Sequence, residues 1–268
     1  MYEKHFALSE LPFRQTPDPR FLWYSDTHLG AKNRILYHIQ RSVGPIYLHA
    51  PIGTGKTTIA RRIVEEITTE KNKKVVLVFA PKLTTTNAFL RFVSSEFAVK
   101  THRSYAQSLR EFQAWLIEQY KAGHSPILFV DEAQNMTRDM LLLIQHFFNF
   151  SSNKEFLIQI ALFAQPELSQ KLKRLPSLNS RLSIARINPF TPEETETMMR
   201  FRWQVAGGNG FPFSKEAVSE ISRISKGIPR TIVKLADQCL IYATVGQQKT
   251  VSKEIVQRAS SELTEYDE

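Results

Sequence analysis

Apolar and polar positions divide the chain into two stretches of different periodicity. Between residues 46 and 187, short apolar runs alternate with amphipathic segments. The runs IYLHA (46–50), KVVLVFA (74–80), PILFV (126–130), FLIQIALFA (156–164) and LSIARI (182–187) have the length of buried strands. The segments 56–70, 86–98, 105–121 and 137–149 carry apolar residues at helical spacing. Strands alternating with helices predict an α/β fold with a parallel sheet covered on both faces. Beyond Asn188 the pattern is purely helical. Thr191-Pro192-Glu193-Glu194 reads as a capping box with proline at the first helical position, opening a helix to Val205. Gly207, Gly208 and Gly210 break it; Ser214 caps the next helix, Pro229 opens a third and Ser252 caps a last one. The predicted organisation is an α/β core over 1–188, with an N-terminal extension over 1–40, followed by a helical domain over 189–268. In the aromatic- and proline-rich opening, Tyr2, Phe6, Leu8, Leu11 and Phe13 read as packing on their own chain.

Composition narrows the class. At 42% hydrophobic and 23% charged over 268 residues, the chain is neither disordered nor fibrous. The single cysteine, Cys239, excludes an intrachain disulfide framework and a cysteine metal cluster. The seven histidines are scattered without zinc-ligand spacing, and no G-x-S-x-G elbow supports serine hydrolysis. The opening MYEKHFALSE is not a secretory signal, and no run of about 18 apolar residues exists to span a bilayer. A reducing, cytoplasmic setting is the expectation.

Charge adds a direction. The net charge is +9, but residues 1–188 carry +10 while 189–268 carry −1. Within 71–110, eight basic residues (Lys71, Lys73, Lys74, Lys82, Arg91, Lys100, Arg103 and Arg110) face Glu96 alone. A charge run is commonly a solvated face; an excess this concentrated raises the odds of a polyanionic partner.

Two motifs carry chemistry. Ala50-Pro51-Ile52-Gly53-Thr54-Gly55-Lys56-Thr57 ends a predicted strand and opens a predicted helix, the context of a phosphate-cradling loop, with Ala50 where glycine is commonest. Gly53 and Gly55 let backbone N–H groups turn inward, and the helix N-terminus adds partial positive charge. Pro51 to Thr58 are therefore the candidate contacts to ATP: Lys56 for the β- and γ-phosphates, Thr57 for Mg²⁺. Seventy-five residues after that lysine, the strand ILFV ends in Asp131 and Glu132. Asp131 is the candidate second metal residue, and Glu132 the candidate base that deprotonates the attacking water. Two acids ending a strand are often only a helix cap; beside a phosphate loop they indicate hydrolysis.

Phe13, Pro17-Asp18-Pro19, Phe21, GTGKTT, VDEAQ, FAQPEL, Arg181 and Gly227-Ile228-Pro229-Arg230 follow one another in this order. In this the chain resembles AAA+ ATPases of the ExeA-like group along nearly its whole length. That group includes secretion-associated ATPases and is similar to the TnsC, TniB and MuB-type regulators of DNA transposition. The resemblance implies a sheet ordered 5-1-4-3-2, an all-helical lid, and a homo-oligomeric ring or filament with ATP between protomers. It implies that Gln165 senses the γ-phosphate, although Ala164 stands where the group has glycine and a plain helix cap explains Gln165 equally well. Arg230 matches the second sensor. Arg181 matches the arginine finger, with Arg186 as rival; Lys171, Lys173 and Arg174 read as well as a solvated basic helix. Lys82, Lys100, Thr101 and Arg103 correspond to loops that track double-stranded DNA in TnsC-like proteins.

Two functions follow from the resemblance. One is an ATP-dependent DNA-binding assembly that regulates transposition, marking the target and recruiting or activating a transposase. The other is an ExeA-like secretion or cell-envelope ATPase, which typically continues into a membrane segment and a peptidoglycan-binding domain. The stop at Glu268 and the +10 of residues 1–188 weigh towards DNA.

Overall fold

The structure is a computed structural model that describes residues 2–15, 18–79, 83, 85–152 and 155–265. The chain opens with α1 (Tyr2–Phe6) and α2 (Asp26–Gln40). Strand and helix then alternate: β1 (Ile46–His49), α3 (Lys56–Thr68), β2 (Lys73–Phe79), α4 (Thr86–Glu96), α5 (Tyr105–Lys121), β3 (Ser125–Asp131), α6 (Arg138–Phe147), β4 (Gln159–Ala164), α7 (Glu167–Lys173), α8 (Pro176–Asn179) and β5 (Ser183–Arg186). Four helices follow: α9 (Pro192–Val205), α10 (Lys215–Ser225), α11 (Pro229–Val245) and α12 (Lys253–Glu265). Contacts divide the chain into two compact units. One holds Thr27–Pro51 and Lys56–Ile187; the other holds Met1–Asp26, Ile52–Gly55 and Asn188–Glu268.

The first unit is an α/β layer. Its five strands are parallel in the order β2-β3-β4-β1-β5, which is the expected 5-1-4-3-2. The two most apolar strands, β3 and β4, lie inside the sheet and are buried along nearly their whole length. The shorter or more polar β2 and β5 take the edges. Helices cover the sheet because their apolar stripes need burial: Phe89 of α4, Phe112 of α5 and Phe147 of α6 pack with Leu128 and Val130 of β3 in one continuous core. Thr85, Ser104 and Thr137 cap α4, α5 and α6 by accepting backbone N–H groups of the first turns.

The second unit is helical. Thr191 and Glu194 form the predicted capping box, and Ser214 caps α10. Phe190, Met199, Trp203, Ile221 and Leu235 form its core. Tyr2 and Phe13 are buried in that same core, with Phe6, Leu8 and Leu11 against it, so the opening of the chain groups with α9–α12. Tyr2 also donates a hydrogen bond from its hydroxyl to the Asp237 carboxylate.

Candidate active site

Parallel strands bring their carboxyl ends to one edge of a sheet, and ligands of open α/β folds bind outside that edge. Register fixes which ends meet: His49 of β1 lies beside Ala164 of β4, and Val130 of β3 beside Leu162. Ala50, Asp131 and Gln165 thus leave neighbouring strands together, and the Ala50 N–H donates to the Ala164 carbonyl at 3.2 Å.

Asp131 is fully buried. Its Oδ2 accepts from the Thr57 hydroxyl at 2.7 Å, and its Oδ1 from the Glu132 N–H at 2.8 Å. Burial is the main influence on its carboxyl and raises its pKa; the Thr57 and Glu132 hydrogen bonds and the Lys56 charge oppose that shift. A carboxylate held out of water beside a hydroxyl is a pair of hard oxygen donors, which suits Mg²⁺ completed by substrate phosphates. Lys56 is buried, with its ammonium donating to the Pro51 carbonyl at 3.2 Å.

Glu132 adopts a left-handed backbone (φ 54, ψ 35) that few non-glycine residues take. Its Oε2 accepts from the Gln165 amide at 3.1 Å and from the Gln134 amide. The Gln165 N–H donates to Gln134 Oε1 at 3.2 Å. Glu132, Gln134 and Gln165 therefore share one hydrogen-bonded cluster beside Asp131. The geometry offers an acceptor for a water proton at the strand ends, and Gln165 contacts that acceptor directly.

In the helical unit, Gly53 and Gly227 occupy conformations that glycine permits. Gly53 has φ +78, and a Cβ there would meet Ile228 at 2.9 Å and Arg230 at 3.1 Å. The Arg230 N–H donates to the Gly53 carbonyl at 3.2 Å. Gly227 has φ +70, and a Cβ there would sit 2.1 Å from the Phe190 carbonyl oxygen. Pro229 opens α11 directly after this turn and so fixes where Arg230, an exposed residue, begins its helix. Ile52 is exposed, Thr54 buried, and Gly55 has φ +94. Thr58 lies in the first turn of α3, half-buried.

The remaining candidates separate. Arg181, between α8 and β5, is exposed and donates to Asn149 Oδ1 at 3.0 Å. Arg186 ends β5 beside His49, whose imidazole pKa is lowered by burial and then by the Arg186 charge. Lys100 and Arg103 are exposed and Thr101 half-buried on the connection into α5; the Arg103 carbonyl accepts from Asn87 Nδ2 at 3.0 Å, beside the start of α4. Lys73 and Lys74 lie at the other end of β2, in register with Ser125 and Pro126, so the basic residues of 71–110 do not form one patch. Lys82 and Pro17 lie outside the described residues. Two residues escape notice in the sequence. Gln134 stands inside VDEAQ with nothing to set it apart, and Lys171 looks like part of a solvated helix. The ammonium of Lys171 in fact donates to the carbonyls of Gln134 at 2.5 Å and Met136 at 2.9 Å.

This fold and this strand-end chemistry define a P-loop ATP hydrolase that works with ATP and Mg²⁺. Residues 39–172, which are 134 of the chain's 268, match a family described as an AAA domain, and the chain belongs to it. It is 31% identical over 261 residues to General secretion pathway protein A of Aeromonas hydrophila. That match covers 95% of this chain and 47% of the relative, so the chain spans about half the relative's length. Among solved structures, Drosophila ORC bound to DNA superposes with a TM-score of 0.69 at 15% identity, over 94% of this chain and 64% of that one. The Aeropyrum pernix ORC2 protein in its ADPNP-ADP complexes gives 0.64 at 16% identity, over 95% and 72%. The Thermotoga maritima RuvB Holliday junction branch migration motor gives 0.54 at 18% identity, over 86% and 67%. At these identities the likeness is one of fold. No helix among the described residues is long and apolar enough to cross a membrane.

Proposed function

We propose that this AAA+ ATPase assembles on double-stranded DNA in an ATP-dependent way and regulates transposition, marking a target site and recruiting or activating a transposase. The observation that carries the DNA part is the charge of +10 concentrated in residues 1–188. Lys100 and Arg103 are exposed in that region, and such side chains bind phosphate backbone without reading sequence. Among proteins of the same fold are Drosophila ORC, solved bound to DNA, and the RuvB Holliday junction branch migration motor. The end of the chain at Glu268 carries no weight, because the chain spans only half of its curated relative.

Bound Mg–ATP supplies the γ-phosphoryl group that passes to water. Lys56 holds the negative oxygens of the β- and γ-phosphates, with the backbone of 51–55 around them. Thr57 and Asp131 would hold Mg²⁺, which would offset the negative charge of the phosphates. Glu132 accepts a proton from the attacking water as the new O–P bond forms and the bond to the bridging oxygen of ADP breaks. Gln165 orients Glu132, Arg230 touches phosphate, and Arg181 of a neighbouring protomer stabilises the charge that develops in transfer. Hydrolysis then depends on assembly.

A second reading has its own support: the Aeromonas relative is a general secretion pathway protein, similar over 95% of this chain. Fluorescence anisotropy of a labelled duplex at several salt concentrations separates the two. The DNA reading expects binding with little sequence preference that requires ATP or a non-hydrolysable analogue. Each neutralised phosphate should lower log K by about 0.9 per decade of salt. No binding at low salt with the analogue favours the secretion reading; binding that ignores nucleotide reduces the basic residues to nonspecific charge.

A further inference from the structure

We infer that Gln134 and Lys171 are positioning residues that hold Glu132 in its working geometry, an inference that rests on the reading of Glu132 as the base. The motif carries an apparent weakness. Glu132 sits in the left-handed region (φ 54, ψ 35), where a side-chain-bearing residue is disfavoured. It must be kept there by its surroundings.

Backbone hydrogen bonds account for part of the restraint. The Glu132 N–H reaches Asp131 Oδ1 at 2.8 Å, and the Asn135 N–H reaches the Glu132 carbonyl at 2.9 Å. They define a single helical turn over Ala133–Asn135, too short to hold itself. The Met136 N–H reaches the Ala133 carbonyl at 3.1 Å, which leaves the last carbonyls of the turn to partners from outside it, as at any helix end. Lys171 supplies one: its ammonium bridges the carbonyls of Gln134 (2.5 Å) and Met136 (2.9 Å) from α7, thirty-seven and thirty-five residues away in sequence. From this pinned turn the Gln134 side chain reaches both Glu132 and the residue after β4. Its amide nitrogen donates to Glu132 Oε2, and its amide oxygen accepts the Gln165 N–H at 3.2 Å. Gln134 thus bridges the end of β3 to the residue after β4, and Gln165 closes the ring by donating to the same Glu132 oxygen at 3.1 Å. The Glu132 carboxylate is held by two amides, and the backbone of one of them, Gln134, is bonded to Lys171.

Such a device acts on the rate of the chemical step and leaves nucleotide binding alone, since neither Gln134 nor Lys171 belongs to the phosphate loop. A displacement of about 1 Å at a catalytic group costs about 10²-fold. The experiment compares steady-state kcat and KM, and affinity for a non-hydrolysable ATP analogue, for the full chain and for Lys171→Met, Lys171→Arg, Gln134→Met and Glu132→Gln. The two methionine variants keep side-chain length and lose the donors. They are expected to lower kcat by about 10²-fold with KM and analogue affinity within about twofold, while Lys171→Arg, which restores donors, regains most of the rate. A purely structural role would lower affinity in parallel with kcat, and that result overturns the inference. So does wild-type kcat in Lys171→Met or Gln134→Met when Glu132→Gln is inactive. Should Lys171→Met fail to fold, Gln134→Met alone decides, since it leaves the ammonium on the turn. Wild-type turnover by Glu132→Gln removes the base assignment itself, a failure distinct from the others.

Discussion

Each of the two units encloses a charged side chain, and the two are treated in opposite ways. In the helical unit, the partly buried Arg202 guanidinium donates to the carbonyls of Pro12 at 2.8 Å, Arg14 at 2.9 Å and Phe21 at 3.1 Å, and lies 5.1 Å from the centre of the Phe21 ring. Burial still draws its pKa down to about 10, so it remains charged near neutrality. In the α/β unit, Asp131 has a hydroxyl and one N–H for its two oxygens, and burial dominates its titration. Carboxylate oxygens can accept about four hydrogen bonds between them, so Asp131 keeps room for more partners, while each of the three Arg202 nitrogens already donates to a backbone carbonyl. A charge surrounded by backbone partners is an anchor: Arg202 ties the opening segment to α9. A buried charge with lone pairs to spare is a place for a cation.

The comparison can be tested from its strongest side, the chemistry around Asp131. Arg181→Ala should bind ATP almost normally yet lower turnover by about 10³-fold or more, the usual cost of removing an arginine finger. Mixing it with hydrolysis-dead Glu132→Gln should restore part of the activity, each partner supplying what the other lacks across an interface. If mixing rescues Arg186→Ala and not Arg181→Ala, the finger is the arginine beside His49. Within one protomer, Lys56→Ala should abolish nucleotide binding, whereas Glu132→Gln should keep ATP and lose about 10²- to 10⁴-fold in phosphate release, the range of a general base. Full turnover by Glu132→Gln would remove it from that role.

These residues show which parts of the molecule are legible in sequence. Gly53, Gly55, Lys56, Thr57, Asp131 and Glu132 declare themselves because their chemistry requires fixed spacing beside a strand end, and the strands are short apolar runs with clear limits. The register of β1, β3 and β4 then brings the ends together. Lys171 and Arg202 do not declare themselves, since their acceptors are backbone carbonyls up to 190 residues away, and carbonyls leave no mark on residue type. Charge counting misleads for a related reason. The run 71–110 passes up β2 and returns, so Lys73 and Lys74 end far from Arg103 although they are near in sequence. Reversal of Lys100 and Arg103 to glutamate should therefore weaken ATP-dependent duplex binding and flatten its salt dependence. Reversal of Lys73 and Lys74 should change it far less. Equal losses in both pairs, measured by anisotropy, would mean that overall charge and not the α5 edge binds DNA.

On the anchor side, Arg202→Ala should cost about 2 kcal/mol, the order of a lost charge-assisted hydrogen bond, or about 4–8 °C in Tm for a chain of this size. Arg202→Lys should recover little, because an ammonium cannot reproduce the planar fork over three carbonyls. A melting temperature unchanged in both variants would show that the other contacts of the opening segment, Tyr2 and Phe13 among them, hold it without Arg202.

The smallest effect has the opposite sign. Asp131→Asn keeps the shape and the ability to pair with Thr57, whose hydroxyl can turn to accept, but removes the charge that burial penalises. Because burial raises the folded-state pKa of Asp131, its folded form favours the proton more than its unfolded form does. The penalty is absent at pH values below the carboxylate range, where both states are protonated, and grows as pH rises through that range to a plateau. Asp131→Asn should therefore raise the Tm of the nucleotide-free protein at neutral pH by about 2–4 °C, equivalent to about 1 kcal/mol in a chain this long. The gain should shrink towards zero as the pH is lowered. Thermal melts of both proteins between neutral and acid pH measure this directly. A destabilised Asp131→Asn at neutral pH would mean that Lys56 and the two hydrogen bonds already compensate the charge, and Asp131 would then be an anchor of the same kind as Arg202.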